Sequence, residues 1–200
     1  MQARTITPSF HSGQALAQAL FPSRSLVRHV ALVLGFVALT ALCARIRIYL
    51  PWTPVPVTGQ TFAVLLSGAV LGSRLGGVSQ LSYFAFGLLG APVFQGGNAG
   101  WTYVTGATGG YLVGFVLAAY LVGWLAERGW DRRHVASAMV LGNVAIYVPG
   151  LLWLGLRGVV PWERVLPAGL YPFVLGDLIK LTLAAVVLPS AWSLLRRQPR

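Results

Sequence analysis

Negative charge is what this chain has least of. Its 200 residues include four acidic side chains against fifteen Lys and Arg, and charged residues make up only 10% of the whole. Lysine is as scarce: Lys180 stands alone, so arginine carries the net charge of +11. General acid–base catalysis needs positioned titratable groups, and so few carboxylates leave it little material. The single cysteine, Cys43, excludes an internal disulfide. His11, His29 and His134 lie far apart in polar flanks, with no His/Cys spacing that suits a metal. Neither a metal nor a cofactor is therefore expected. The run Gly106-Ala107-Thr108-Gly109-Gly110 lacks the Gly-Lys-Ser/Thr ending of a phosphate-binding loop, as does the rest of the chain. Gly-x-Ser-x-Gly and His-Glu-x-x-His are absent too, which removes the common hydrolase readings. The arginines punctuate apolar segments instead of forming a stripe, which argues against nucleic-acid binding.

Apolar residues are what is present, at 56% of the chain. That is too many, with too little charge, for a soluble domain. A membrane-crossing helix needs about 20 apolar residues. Six segments approach that length, at 26–44, 59–73, 76–90, 107–126, 135–156 and 169–194. The fold class expected is all-α, an integral membrane bundle of six transmembrane helices. The expected organisation is a polar N-terminal tail (1–25), one membrane domain (26–195) and a basic C-terminal tail (196–200). Segments two and three are short and joined by Gly72-Ser73-Arg74-Leu75-Gly76-Gly77, read as a helix break, with a re-entrant pair as the alternative.

Arginines set the orientation. With the N-terminus inside, Arg4, Arg24, Arg28, Arg74, Arg128, Arg132, Arg133, Arg196, Arg197 and Arg200 fall on the cytoplasmic side. Only Arg45, Arg47, Arg157 and Arg164 fall outside, so the positive-inside rule puts both termini in the cytoplasm. Two outer connections look structured. One, 45–59, holds Pro51, Pro54 and Pro56, which favour extended and turn conformations. The other, 91–100, is glycine-rich and flanked by Phe94, Trp101 and Tyr103. With Gln95 and Asn98 it reads as a lid over an outward-facing pocket; an ordinary interfacial loop is the alternative.

Asp177 and Lys180 stand out because they lie within the otherwise apolar run 170–188. A charge at mid-membrane costs roughly 2.5–3.5 kcal/mol even on lenient scales, so it needs a partner or a watery cavity. Three residues apart on a helix, the two share a face. A carboxylate beside an ammonium matches a neutral group with N–H donors next to a carbonyl, such as a cyclic urea or amide; a structural ion pair is the alternative. Asn143 and Tyr147 share a face of the fifth segment, and Gln60 opens the second. Each suits either ligand contact or helix–helix hydrogen bonding. On the first segment Gly35, Thr40, Ala41 and Ala44 belong to a small-residue strip, suited to packing or to docking a partner membrane protein.

Four stretches converge on a known family: Pro54-Val55-Pro56-Val57-Thr58-Gly59-Gln60-Thr61-Phe62, Gly87-Leu88-Leu89-Gly90-Ala91-Pro92-Val93-Phe94, Thr108-Gly109-Gly110-Tyr111-Leu112-Val113-Gly114-Phe115 and Pro172-Phe173-Val174-Leu175-Gly176-Asp177-Leu178-Ile179-Lys180. In this order, from about residue 26 to 190, they resemble the BioY family of bacterial biotin transporters. The resemblance implies a substrate-binding S component of an energy-coupling factor transporter in the cytoplasmic membrane, not an enzyme. Biotin would be the transported ligand, with Asp177 and Lys180 on its ureido ring. Gln60, Tyr83, Asn143 and Tyr147 would line the pocket, and Phe94, Gln95, Asn98 and Tyr103 would form the lid side. The implied partners are membrane lipid and a transmembrane coupling subunit with ATPases, or no dedicated module. Two positions depart from the family. Asn98 stands where many relatives carry arginine, leaving Arg45 and Arg47 as the nearby outer charges. Val37 replaces the first alanine of the family's docking strip, with Thr40 and Ala44 as the substitute spacing. The other readings are an S component for a different vitamin, an intramembrane enzyme using Asp177, and a purely structural subunit.

Overall fold

The computed structural model describes residues 15–20 and 25–197, with side chains through Leu194. Most of the expected N-terminal tail (1–14 and 21–24) and the last three residues, 198–200, lie outside the described residues. Six longer helices dominate: α2 (Leu26–Cys43), α3 (Gln60–Leu71), α4 (Ser73–Leu88), α6 (Gly109–Ala126), α8 (Val135–Leu156) and α10 (Tyr171–Arg197). Four short ones fill the connections: α1 (Leu16–Leu20), α5 (Gly100–Val104), α7 (Trp130–Arg133) and α9 (Val165–Gly169). α1 lies inside the expected polar tail, yet Ala15, Leu16 and Ala17 are buried.

Four helical stretches are long and apolar enough to cross a membrane: Leu26–Cys43, Gly109–Ala126, Val135–Leu156 and Trp162–Leu194. Gln60–Leu71 is a shorter apolar helix, and α4 is more polar, with Arg74, Ser79 and Gln80 in its sequence. Leu34, Leu117, Val144, Leu152, Leu178 and Leu183 are exposed along these helices. An apolar outer surface on every long helix is what a lipid solvent demands, so this is a multi-pass membrane protein.

The break between α3 and α4 is tighter than the sequence predicts. Gly72 alone makes it, at φ 85°, a conformation that strains any residue with a Cβ. Ser73 to Gly77 are instead the first turns of α4. The cap explains why the helix can start so soon. Glu127, at the end of α6, accepts from the Ser73 backbone N–H at 2.8 Å and from its hydroxyl at 3.0 Å. A carboxylate at a helix N-terminus satisfies an orphan donor and complements the dipole. Glu127→Ala is therefore expected to lower stability by about 1 kcal/mol, roughly 2–4 °C in Tm, in a detergent melting experiment. An unchanged Tm would show that the cap contributes nothing.

α6 is the central helix, packed against α3, α4 and α8. Glycine permits these approaches: a Cβ on Gly68 would collide with the Ala119 carbonyl, and one on Gly114 would lie 2.7 Å from the Ile146 carbonyl. Close backbone contact replaces the hydrophobic driving force that lipid cannot supply. The buried core includes Tyr83, Phe94, Tyr111, Phe115, Ile146, Leu154 and Phe173.

The small-residue strip on α2 divides between two faces. Thr40 is fully buried, donating to the Phe36 carbonyl at 2.8 Å and accepting from Gln80 Nε2 at 3.2 Å. Ala44 is also fully buried and Ala41 is partly buried against the core. Only Gly35 of the four faces outward, along with Ala31 and Ala38. Thr40 and Ala44 are thus packing residues, which corrects their place on an exposed docking strip.

The proline-rich connection forms a small ribbon. β1 (Arg47–Ile48) pairs antiparallel with β2 (Val57–Thr58), with Arg47 opposite Thr58 and Ile48 opposite Val57. Thr53 anchors the intervening turn by donating to the Ala168 carbonyl of α9 at 2.5 Å.

Candidate functional site: a polar cluster at the base of an aromatic pocket

A cavity of about 490 Å³, counting the space open at its mouth, lies between the ribbon and helices α3, α6, α8 and α10. Its walls are apolar and aromatic, from Val55, Leu112, Phe115, Ile146 and Phe173. Tyr111, Tyr147 and Phe173 pack ring against ring at centroid distances of 6.1–6.3 Å. Polar groups reach it from Thr58, Gln60, Thr61, Gln95, Tyr103, Thr108, Tyr111, Tyr147 and Lys180. Mostly apolar walls with a few placed polar groups are the usual form of a small-molecule site.

The register of α10 brings Lys180 to the pocket. Its ammonium donates to Thr61 Oγ1 at 2.7 Å and to Asp177 Oδ1 at 3.2 Å. The Tyr147 hydroxyl donates to the other carboxylate oxygen, Asp177 Oδ2. Three helices therefore converge on one carboxylate and one ammonium, whose side chains are only 10% and 17% exposed. An ammonium has three N–H donors, and a carboxylate has about four acceptor sites. Two donors of Lys180 and two acceptor sites of Asp177 are occupied, so both retain capacity for a ligand.

Other predicted residues sit at graded distances from this cluster. Gln60 and Gln95 line the cavity, as do Tyr103 and Tyr147. Burial pushes the Tyr103 phenol up from its ordinary value. Tyr83 does not line the cavity: it is buried behind Gln60, accepting from Gln60 Nε2 at 2.7 Å and donating to the Val93 carbonyl at 3.0 Å. Phe94 is also fully buried, stacked on Tyr103 at 5.0 Å, so it supports the wall instead of forming it. Asn143 lines a smaller space of about 210 Å³ with Asp177, Lys180, Phe62, Leu65, Met139 and Leu181. Its Oδ1 is buried without a hydrogen-bond partner among the described residues. Asn98 is exposed at the outer end, where its amide donates to the Gln95 carbonyl at 2.7 Å. Residues that sequence reasoning passed over are Thr61, Thr58, Tyr111, Phe115 and Phe173. Thr61 carried a usable signal, as a hydroxyl next to Gln60 in an apolar helix. Tyr111 is held by donating to the Gly169 carbonyl at 2.8 Å, a contact 58 residues away that no local pattern announces.

Comparison with known proteins decides the family. Residues 12–197 match the profile of the BioY family. The chain belongs to the BioY family. Among BioY relatives, the probable biotin transporter of Pyrococcus horikoshii is 38% identical over 160 residues, covering 80% of this chain and 93% of that protein. The biotin transporter BioY of Thermotoga maritima is 39% identical over 152 residues, covering 76% and 88%. A crystal structure described as the S component for biotin from an ECF-type ABC transporter superposes with a TM-score of 0.72 at 24% identity. It covers 86% of this chain and 93% of that one, so the BioY chain shares that fold.

Proposed function

We propose that this protein takes up biotin as the substrate-binding S component of an energy-coupling factor transporter. It would cross the cytoplasmic membrane six times, with α3 and α4 as short spans and both termini in the cytoplasm, as the arginine distribution favours. The observation that carries the reading is the ammonium–carboxylate–phenol cluster, in which Lys180 and Tyr147 line the main cavity and Asp177, which lines the smaller adjoining space, bonds to both. In this reading Lys180 donates to the ureido carbonyl, and Asp177 takes a ureido N–H on its remaining lone pairs. Tyr147 and Thr61 hold the pair in place. The aromatic walls receive the fused ring and the alkyl chain. Named biotin transporters among the relatives support the same ligand.

The sequence holds no phosphate-binding loop, so uphill movement requires energy from elsewhere, supplied in this reading by a coupling subunit and ATPases. Docking on α2 would use its outward face at Gly35, Ala31 and Ala38. Absence of ATPase subunits after gentle purification of the tagged chain from its native membrane would count against that partnership.

The ligand is tested by labelled-biotin binding to the purified protein. Saturable binding, competed by unlabelled biotin and untouched by riboflavin or thiamine, is the expected result. Competition by another vitamin with no effect of biotin would replace the ligand, and no binding at all would end the reading.

A further inference from the structure

The cap at the head of α4 sets two arginines at one end of the bundle. Glu127 holds Ser73 through both carboxylate oxygens, and Arg74 and Arg128 are the next residues along the chain from each. Both arginines are exposed. The ion pairs among the described residues, Arg132–Asp131 and Lys180–Asp177, include neither of them. The topology proposed above puts this end on the cytoplasmic side.

Away from that end, the outer face of the α4–α6 pair is apolar. Ser73 at the start of α4 meets Glu127 at the end of α6, so the two packed helices run antiparallel. A Cβ on Gly77 would meet the Tyr120 side chain at 3.7 Å, which places these two residues on the line of contact. Arg74 lies three residues before Gly77, and Val78 and Leu81 follow it at i+4 and i+7, exposed on the same helix face. On α6, Trp124 and Leu117 lie about a turn to either side of Tyr120, and all three are exposed. Because the helices are antiparallel and Tyr120 covers Gly77, both strips turn to the same outer side. Arg128 ends the α6 strip: its guanidinium stacks 3.5 Å from the Trp124 ring centroid and donates to the Trp124 carbonyl at 3.0 Å.

We infer that this face binds an anionic phospholipid, with the headgroup phosphate between Arg74 and Arg128 and an acyl chain along Val78, Leu81 and Leu117. Lipid covers any apolar outer face of a membrane protein, and what the two arginines add is selection by headgroup charge. A guanidinium pairs with phosphate through charge-assisted hydrogen bonds. Arg128 uses one of its five N–H donors on Trp124, so its fork keeps donors for a second acceptor. Tryptophan beside it is the side chain that settles at headgroup level. Glu127 does not cancel the pair, since both of its oxygens are turned to Ser73. Nothing in this face depends on which ligand the pocket holds.

The test is native mass spectrometry of the purified full-length protein, titrated with dioleoyl phosphatidylglycerol or with dioleoyl phosphatidylcholine. Wild type should hold the first phosphatidylglycerol roughly five- to thirtyfold more tightly than phosphatidylcholine. Arg74→Gln combined with Arg128→Gln should bring phosphatidylglycerol down to the phosphatidylcholine level and leave phosphatidylcholine unchanged. Lysine at the same two positions should keep part of the preference. Arg157→Gln makes a like charge change at the far end of α8 and should keep all of it. No preference in wild type, or full preference in the double Gln variant, would overturn the inference. So would an equal loss in Arg157→Gln, which marks attraction to net charge, or an equal fall for both lipids, which marks damaged packing. A large excess of inorganic phosphate should leave the lipid bound, and displacement would assign the arginines to a free anion instead.

Discussion

Asp177→Asn is expected to weaken biotin binding about 30- to 1000-fold, the scale of breaking one member of a largely buried charge pair. The carboxylate does two things that an amide cannot. It neutralises Lys180 at 3.2 Å, and it gives the Tyr147 hydroxyl a charged acceptor. With Asn at position 177 the ammonium keeps Thr61 but loses its counter-charge in a low-dielectric setting. Lys180→Ala leaves the opposite charge exposed to the same penalty and should cost a similar factor. The paired change Asp177→Asn with Lys180→Ala removes both charges, so its loss should fall short of the sum of the two. Binding is read by isothermal titration on protein that elutes like wild type. Unchanged affinity in both single variants would remove the cluster from the binding site.

Gly114→Val should prevent the protein from accumulating in the membrane, and Gly114→Ala should destabilise it by about 2–3 kcal/mol. The atoms that a Cβ meets here, the Ile146 carbonyl and Cα at 2.7 and 2.8 Å, are backbone and cannot rotate away. α6 and α8 would have to separate, and that would also move Leu112, Phe115, Ile146 and Tyr147 on the pocket wall. Gly35→Ala is the matched control. It sits in helix α2 with nothing within 4 Å of its new Cβ, so helix propensity alone should make it neutral or slightly stabilising. Thermal melting of the two alanine variants side by side settles the matter. Equal Tm values would show that the α6–α8 approach can relax.

The helices were legible because the membrane imposes a crude rule that sequence obeys. Apolar runs of spanning length end at Arg, Gly and Pro, and the segments expected at 26–44 and 135–156 became Leu26–Cys43 and Val135–Leu156. The missed boundary at Gly72 was a matter of capping. Its cause, Glu127, lies 54 residues from Ser73, and only the packing of α6 beside α4 brings them together. Asp177 and Lys180 were visible as charges where charge is costly. Tyr147 was also singled out, though for its spacing from Asn143, and its real partner is Asp177 on another helix. Tyr83 shows the limit from the other side. Nothing in its sequence setting separates a phenol that lines a pocket from one buried behind a glutamine. On α2, small residues recur on two faces, and composition alone does not tell which face the bundle consumes.

The ribbon and the Gln95–Gly97 turn have a kinetic consequence. Tyr49 holds Gln95, Arg45 holds Pro92, and Thr53 ties the same connection to α9. Roof and rim therefore open as one body, and a bound molecule departs only when several weak contacts break within the same fluctuation. An empty site has no such requirement for entry through the mouth. Substitutions along this seam should shorten the residence time while leaving the capture rate almost unchanged.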